Sequence, residues 1–265
     1  MPVHPTKLAH TSVGASKVHD FGAWAAHLAP GFAVRRGTNV GRYSLTTAPE
    51  ALRQLFDFHA GSNLEPRYNI APTQPAPVVR SAAGGVGREL VMLRWGLIPS
   101  WGKEASIGNK MINARSETVA EKPSFRSAFH NRRCLVPADS FYEWRREGET
   151  KQPFRIGMKG GPAFAFAGLW ESWQGTEGEA AIETFTILTT VANRKLHPIH
   201  PRMPVILDPK SYQIWLDASP DNTEQAFSVL QPFPDEPMAF YRVSSRINSP
   251  RNDDAECLKP ISDFG

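Results

Sequence analysis

Cysteine is nearly absent from this 265-residue chain, which contains only Cys134 and Cys257. Two thiols so far apart exclude a disulfide-stapled scaffold and fit a reducing compartment. They also leave no compact Cys/His cluster for zinc, so no metal and no cofactor is expected. No run of apolar residues approaches the length of a membrane-spanning helix, so no membrane partner is expected. A glycine-rich phosphate-binding loop, an internal repeat and a heptad pattern are all missing. Strong net charge is missing too: the balance is +4, which permits a polyanionic partner without demanding one.

The first 38 residues stand apart. They hold Lys7, Lys17, Arg35 and Arg36 against one acid, Asp20. The apolar stretch from Phe21 to Ala29 follows that acid and runs into Pro30, a poor pattern for a secretory signal. Residues 1–38 read as a flexible extension or as a start codon set too early, with an organelle transit peptide the minor alternative.

What the chain has in quantity is punctuation. Its 23 prolines and 20 glycines call for many short elements joined by ordered loops rather than a helix bundle. Gly41 to Leu45 alternates like a strand, and Thr47-Ala-Pro49-Glu50 reads as a helix start with Thr47 as the cap. Arg67 to Pro72 is an ordered loop or a short strand. Ala76–Arg80 and Glu89–Trp95 frame a glycine-rich turn and predict a hairpin. Phe125 and Phe129 predict a helix over Ser124–His130, and Arg133–Pro137 a strand stopped by proline. Phe141–Trp144 and Pro153–Ile156 flank a charged hairpin tip. Ala163–Trp170 and Phe185–Thr190 are inner strands, Ser211–Leu216 and Glu224–Leu230 late helices, and a last strand ends at Val243. Strands that do not alternate with long helices disfavour a doubly wound sheet. The expected fold class is α+β, a mainly β core with peripheral helices, with one domain over 39–250 and a polar tail over 251–265.

Three segments could carry chemistry. Asn113 and Arg115, two apart on a strand, share a face and could hold a phosphate or a sugar oxygen. Alternatively, Arg115 pairs with Glu117 and Asn113 caps a turn. Glu143 lies between aromatics. Turned inward, its carboxyl would titrate near neutrality as a general acid or base; turned outward, it simply faces water. In His197-Pro-Ile-His200-Pro-Arg202-Met-Pro204, three prolines stiffen a loop that could place His200 as a proton shuttle and Arg202 against a phosphate, or could be purely structural. Trp95, Trp101, Tyr142 and Trp144 are either base-stacking platforms or ordinary core.

Taken in order, Gly41-Arg-Tyr, Arg67-Tyr-Asn-Ile-Ala-Pro72, Trp95-Gly-Leu-Ile-Pro-Ser-Trp101, Ile112-Asn-Ala-Arg-Ser-Glu-Thr118, Arg133 to Trp144, Gln152-Pro-Phe154 and Ile199-His-Pro-Arg-Met-Pro204 resemble the SOS-response-associated peptidase (SRAP) family. The resemblance implies a curved, barrel-like, mainly antiparallel β core. It also implies recognition of abasic sites in single-stranded DNA during the DNA-damage response, including sites at junctions with duplex, by a monomer in the bacterial cytoplasm. By motif, Asn113, Glu143 and His200 become the catalytic set, and Arg42, Arg67, Asn69, Trp101, Arg115 and Arg202 the DNA-binding set. The family's usual cysteine, which closes a thiazolidine on the abasic aldehyde, stands directly before Gly-Arg; here that position is Val40. An isopropyl group supplies no thiolate, so the family's crosslink and its proposed peptidase activity both lose their nucleophile. Two alternatives accompany this reading: a hydrolase or peptidase using Glu143 and His200, and a single-stranded DNA-binding domain without catalysis.

Overall fold

Strand β3 (Pro75–Ser81) begins a ring that closes on itself. It pairs antiparallel with β4 (Arg88–Trp95), which runs parallel to β10 (Ile182–Val191). From there β10 pairs with β9 (Phe164–Trp173), β9 with β6 (Arg133–Ala138), and β6 returns to β3 through Val79 and Leu135. Closure leaves no open edge along these five strands. The computed structural model describes residues 40–59, 64–175 and 180–261, all within one unit, Thr38–Gly265.

A second sheet lies against this barrel in the order β13 (Met238–Arg242), β8 (Thr150–Met158), β7 (Ser140–Glu147), β1 (Arg42–Leu45), β2 (Arg67–Ile70). Alternation sends Tyr43 and Phe141 inward. Each meets the Phe166 ring edge-on with centroids 5.9 Å apart. A fully buried aromatic ring contributes about 1.5–3 kcal/mol from lost contact with water, so this trio does much to hold sheet and barrel together. On the outer face, Tyr142 packs with Val243, Ile247 and Cys257 in a small separate core. The residues after 250 differ from the polar tail expected of them. Asp253 accepts hydrogen bonds from the Tyr68 and Asn69 backbone N–H groups at 2.5 and 2.9 Å, and Cys257 is buried. The stretch to Ile261 is a strap across the second sheet.

Helices are short and peripheral. In α1 (Pro49–Phe56), Leu52 and Phe56 lie four apart and face the core, where Phe56 stacks on Tyr212 of α3 (Tyr212–Leu216). Thr47 does not cap α1. Its hydroxyl donates to the Asp139 carboxylate at 2.6 Å, and Ala48 holds the cap position without a side-chain bond. Helix α2 covers Arg126–Asn131, within two residues of expectation, and α4 covers Thr223–Ser228. Pro137 does not stop β6 but lies inside it opposite Ala165. On its other side β6 meets β3 only at Leu135, so the missing proline N–H interrupts no ladder there. The strand before the strap ends at Arg242, and Val243 makes an isolated bridge to Pro260. The expected extension over 1–38 lies outside the described residues. Among the described residues, no helix is long and apolar enough to cross a membrane.

Candidate functional site

Strand β10 organises one side of the site. Its β4-bearing edge also takes the short parallel strand β5 (Asn113–Arg115), with Asn113 opposite Ile187. Its other edge takes β11 (Arg202–Pro204), with Arg202 opposite Val191. The amide of Asn113 and the proline-rich loop carrying His200 therefore flank the same half of β10. The second sheet supplies the rest. Val40 leads into β1, and the register Arg42–Tyr142, continued one residue, sets Gly41 opposite Glu143.

Asn113 Nδ2 donates to the Val40 carbonyl at 2.8 Å. Its Oδ1 is buried without a partner. Val40 is fully buried in the main core. Glu143 faces inward at 3% exposure, and its Oε1 also lacks a hydrogen-bond partner. Burial raises the Glu143 pKa well above the ordinary carboxylate value, and the Trp144 backbone N–H offsets only part of this. Of the two sequence alternatives, the inward carboxyl is the one observed.

His200 Nδ1 lies 3.9 Å from Glu143 Oε1. It sits 3.0 Å from the Arg202 carbonyl and 3.2 Å from the Arg202 backbone nitrogen. Burial pulls its pKa down; the bond to the Arg202 backbone opposes this, and the Arg202 charge adds to it. The distance alone would suit an ion pair with a charged imidazole. Both shifts run toward the uncharged forms, however, which weakens any ion pair between the two. Asn113 Oδ1 and Glu143 Oε1 are thus two buried oxygens without a protein partner. An unmet buried polar atom costs ~1–3 kcal/mol, which a ligand recovers on binding.

The remaining candidates scatter around this centre. Arg42 donates to Asn69 Oδ1 and to the Asn248 carbonyl, each at 3.2 Å. Arg67 is held by Asp253 and by Gln74. Asn69 is buried, its Nδ2 shared among the carbonyls of Ile247, Ser249 and Asn252. Arg202 makes a two-pronged pair with Glu117, both contacts at 2.9 Å, and donates to the Thr189 carbonyl at 2.6 Å. All four fasten the protein to itself here. Arg115 is exposed, and Trp101 is 59% exposed. Among the other aromatics, Trp95 and Tyr142 are core, and half-buried Trp144 donates to Asn248 Oδ1 at 2.8 Å. Sequence reasoning misses Asp253 and the Glu117–Arg202 pair. Asp253 lies 184 residues or more from its partners and carries no local signal. The local pattern offers Glu117 to Arg115 instead.

The family model described as SOS response associated peptidase (SRAP) matches residues 40–250. An abasic site processing protein of Bacillus subtilis, YoqW, is 44% identical over 225 residues, covering 83% of this chain and 98% of its own length. The chicken abasic site processing protein HMCES is 34% identical over 80% of this chain and 69% of its own. A crystal structure of a Bacteroides thetaiotaomicron protein superposes with a TM-score of 0.74 at 29% identity, covering 83% of this chain and 99% of that one. The barrel with its backing sheet and the Asn113–Glu143–His200 cluster thus occur in a chain that belongs to the SRAP family.

Proposed function

We propose that this protein recognises abasic sites in single-stranded DNA and holds them without a thiazolidine crosslink. One observation carries the reading: Asn113 holds the carbonyl of buried Val40, Glu143 and His200 approach each other to 3.9 Å, and Asn113 Oδ1 and Glu143 Oε1 are buried without partners. An abasic sugar carries hydroxyl hydrogens that Asn113 Oδ1 and Glu143 Oε1 can accept. Burial raises the Glu143 pKa, and in its protonated form the carboxyl can bond a sugar oxygen. No base occupies that position, so the cluster can approach the sugar from the side an intact nucleotide blocks. The relatives named abasic site processing proteins support the same substrate.

Crosslinking needs a thiol and a free amine on one residue, and Val40 has no thiol. Its nitrogen is an amide to Asn39 in the full chain. The protein shields the lesion by binding it, as a monomer, with a junction to duplex as the favoured context. The test is intact mass after incubation with an abasic single-stranded oligonucleotide, with and without borohydride, beside binding to the abasic and intact strands. Preference for the abasic strand with no reductant-independent adduct is expected. Equal binding to both strands would overturn the recognition, and an adduct stable without reductant would overturn the non-covalent reading.

A further inference from the structure

Glu143 does not stand alone on its face of β7. Alternation puts Arg145 and Glu147 on the same side, running outward from the site. Across the ladder, Glu143 faces Phe154, and the Arg145 guanidinium lies 4.7 Å over the Phe154 ring. On the next strand, Arg242 is opposite Phe154, and the Phe240 ring meets Phe154 edge-on at 5.8 Å. Arg145 and Arg242 then share a single carboxylate: Glu147 takes Arg145 Nε at 3.0 Å on one oxygen and Arg242 Nη2 at 3.3 Å on the other. All three side chains are a third or more exposed. Phe240 is 36% exposed, unusual for a ring beside a core strand.

The cluster therefore has two guanidinium forks joined by one anionic group. A partly exposed aromatic ring, Phe240, lies beside them, on a face continuous with the lesion cluster. A carboxylate shared between two guanidinium groups stands where a phosphate would sit, and guanidinium forks suit both anions. An exposed aromatic ring suits a base. We infer that Arg145, Arg242 and Phe240 receive the nucleotide next to the lesion, whose phosphate displaces Glu147 from the guanidinium pair. This rests on the proposed recognition of single-stranded DNA and extends it to one flanking residue.

The test is fluorescence anisotropy of the full chain with two labelled single strands, one carrying a central abasic analogue and one intact, over a potassium chloride series. The double variant Arg145→Gln/Arg242→Gln should weaken both strands about equally and lower the salt slope by roughly one, leaving the abasic-to-intact ratio unchanged. Phe240→Ala should weaken both strands without moving the slope. Glu147→Gln removes the competitor and should tighten both strands. Glu149→Gln, an equal charge change at the exposed hairpin tip, should not. An unchanged affinity and slope in the double variant, or equal tightening by the two glutamate variants, would overturn the inference. Failure of lesion recognition would show separately, as a wild-type ratio near one. The glutamate pair keeps the test decisive even if the double variant folds poorly.

Discussion

The side chain of Asn113 bonds the backbone carbonyl of Val40 at 2.8 Å, joining the short strand β5 beside the barrel to the residue that leads into the second sheet. Through this one contact, the position where the family carries its cysteine is fixed against the amide that would orient a bound sugar. Asn113 Oδ1 remains without a partner, and the valine at position 40 has no polar side-chain atom.

Asn113→Ala should lower the preference for an abasic over an intact strand. A net hydrogen bond is worth about 1 kcal/mol, or roughly a fivefold change. Competition binding with the two strands measures the ratio. An unchanged ratio would remove Asn113 from the lesion pocket.

Val40→Cys restores a thiol but not an amine while Asn39 precedes it. The full-length variant should give no adduct that survives without reductant. The same variant trimmed to begin at position 40 should give one, detected by intact mass. A stable adduct in the full-length variant would mean the chain is trimmed or another nucleophile acts.

The pH dependence of stability has a definite sign. The Glu143 pKa is raised in the folded state, so native protein retains a proton that the unfolded chain releases near the ordinary carboxylate value. Its contribution is full below that value and is lost as pH rises through the folded value. Glu143→Gln cannot titrate. Its melting temperature should gain on the wild type progressively as pH rises from acid to alkaline. His200 runs the other way: its pKa is lowered, so stability falls as pH drops below the ordinary imidazole value. Melting curves across pH, with His200→Gln as the matched variant, check both signs.

Arg202→Lys should destabilise the protein by ~1–2 kcal/mol, because an ammonium cannot span both Glu117 oxygens and the Thr189 carbonyl at once. Partial exposure of Glu117 keeps the effect modest. Urea unfolding reads the change. Affinity that falls with no loss of stability would instead make Arg202 a DNA contact.

Asp253→Ala should cost about 2–3 kcal/mol, since it leaves the Tyr68 and Asn69 N–H groups and Arg67 without their shared acceptor. A melting temperature equal to the wild type would mean that the strap contributes nothing to the second sheet.

Local order is readable along the chain. Alternation locates β3 and β4 around their glycine-rich turn, and the four-residue spacing of Phe125 and Phe129 locates α2, because these patterns are set by neighbours in sequence. The ordered motifs likewise identify the family. Two local readings fail for tertiary reasons: Asp139 draws Thr47 away from the helix it was expected to cap, and the sparse β3 contact lets Pro137 stay inside β6.

What the sequence determined by itself was the family, the mainly β architecture, and the absence of a thiol at position 40. Each is a matter of residue identity and spacing. Tertiary structure decided which way Glu143 points, and hence that burial raises its pKa. It decided that Arg42, Arg67 and Arg202 are held by protein partners, and that Arg145 and Arg242 share Glu147. Burial and pairing depend on groups brought together from distant parts of the chain, and a carboxyl or guanidinium takes its charge state and partners from that surrounding rather than from its neighbours in sequence.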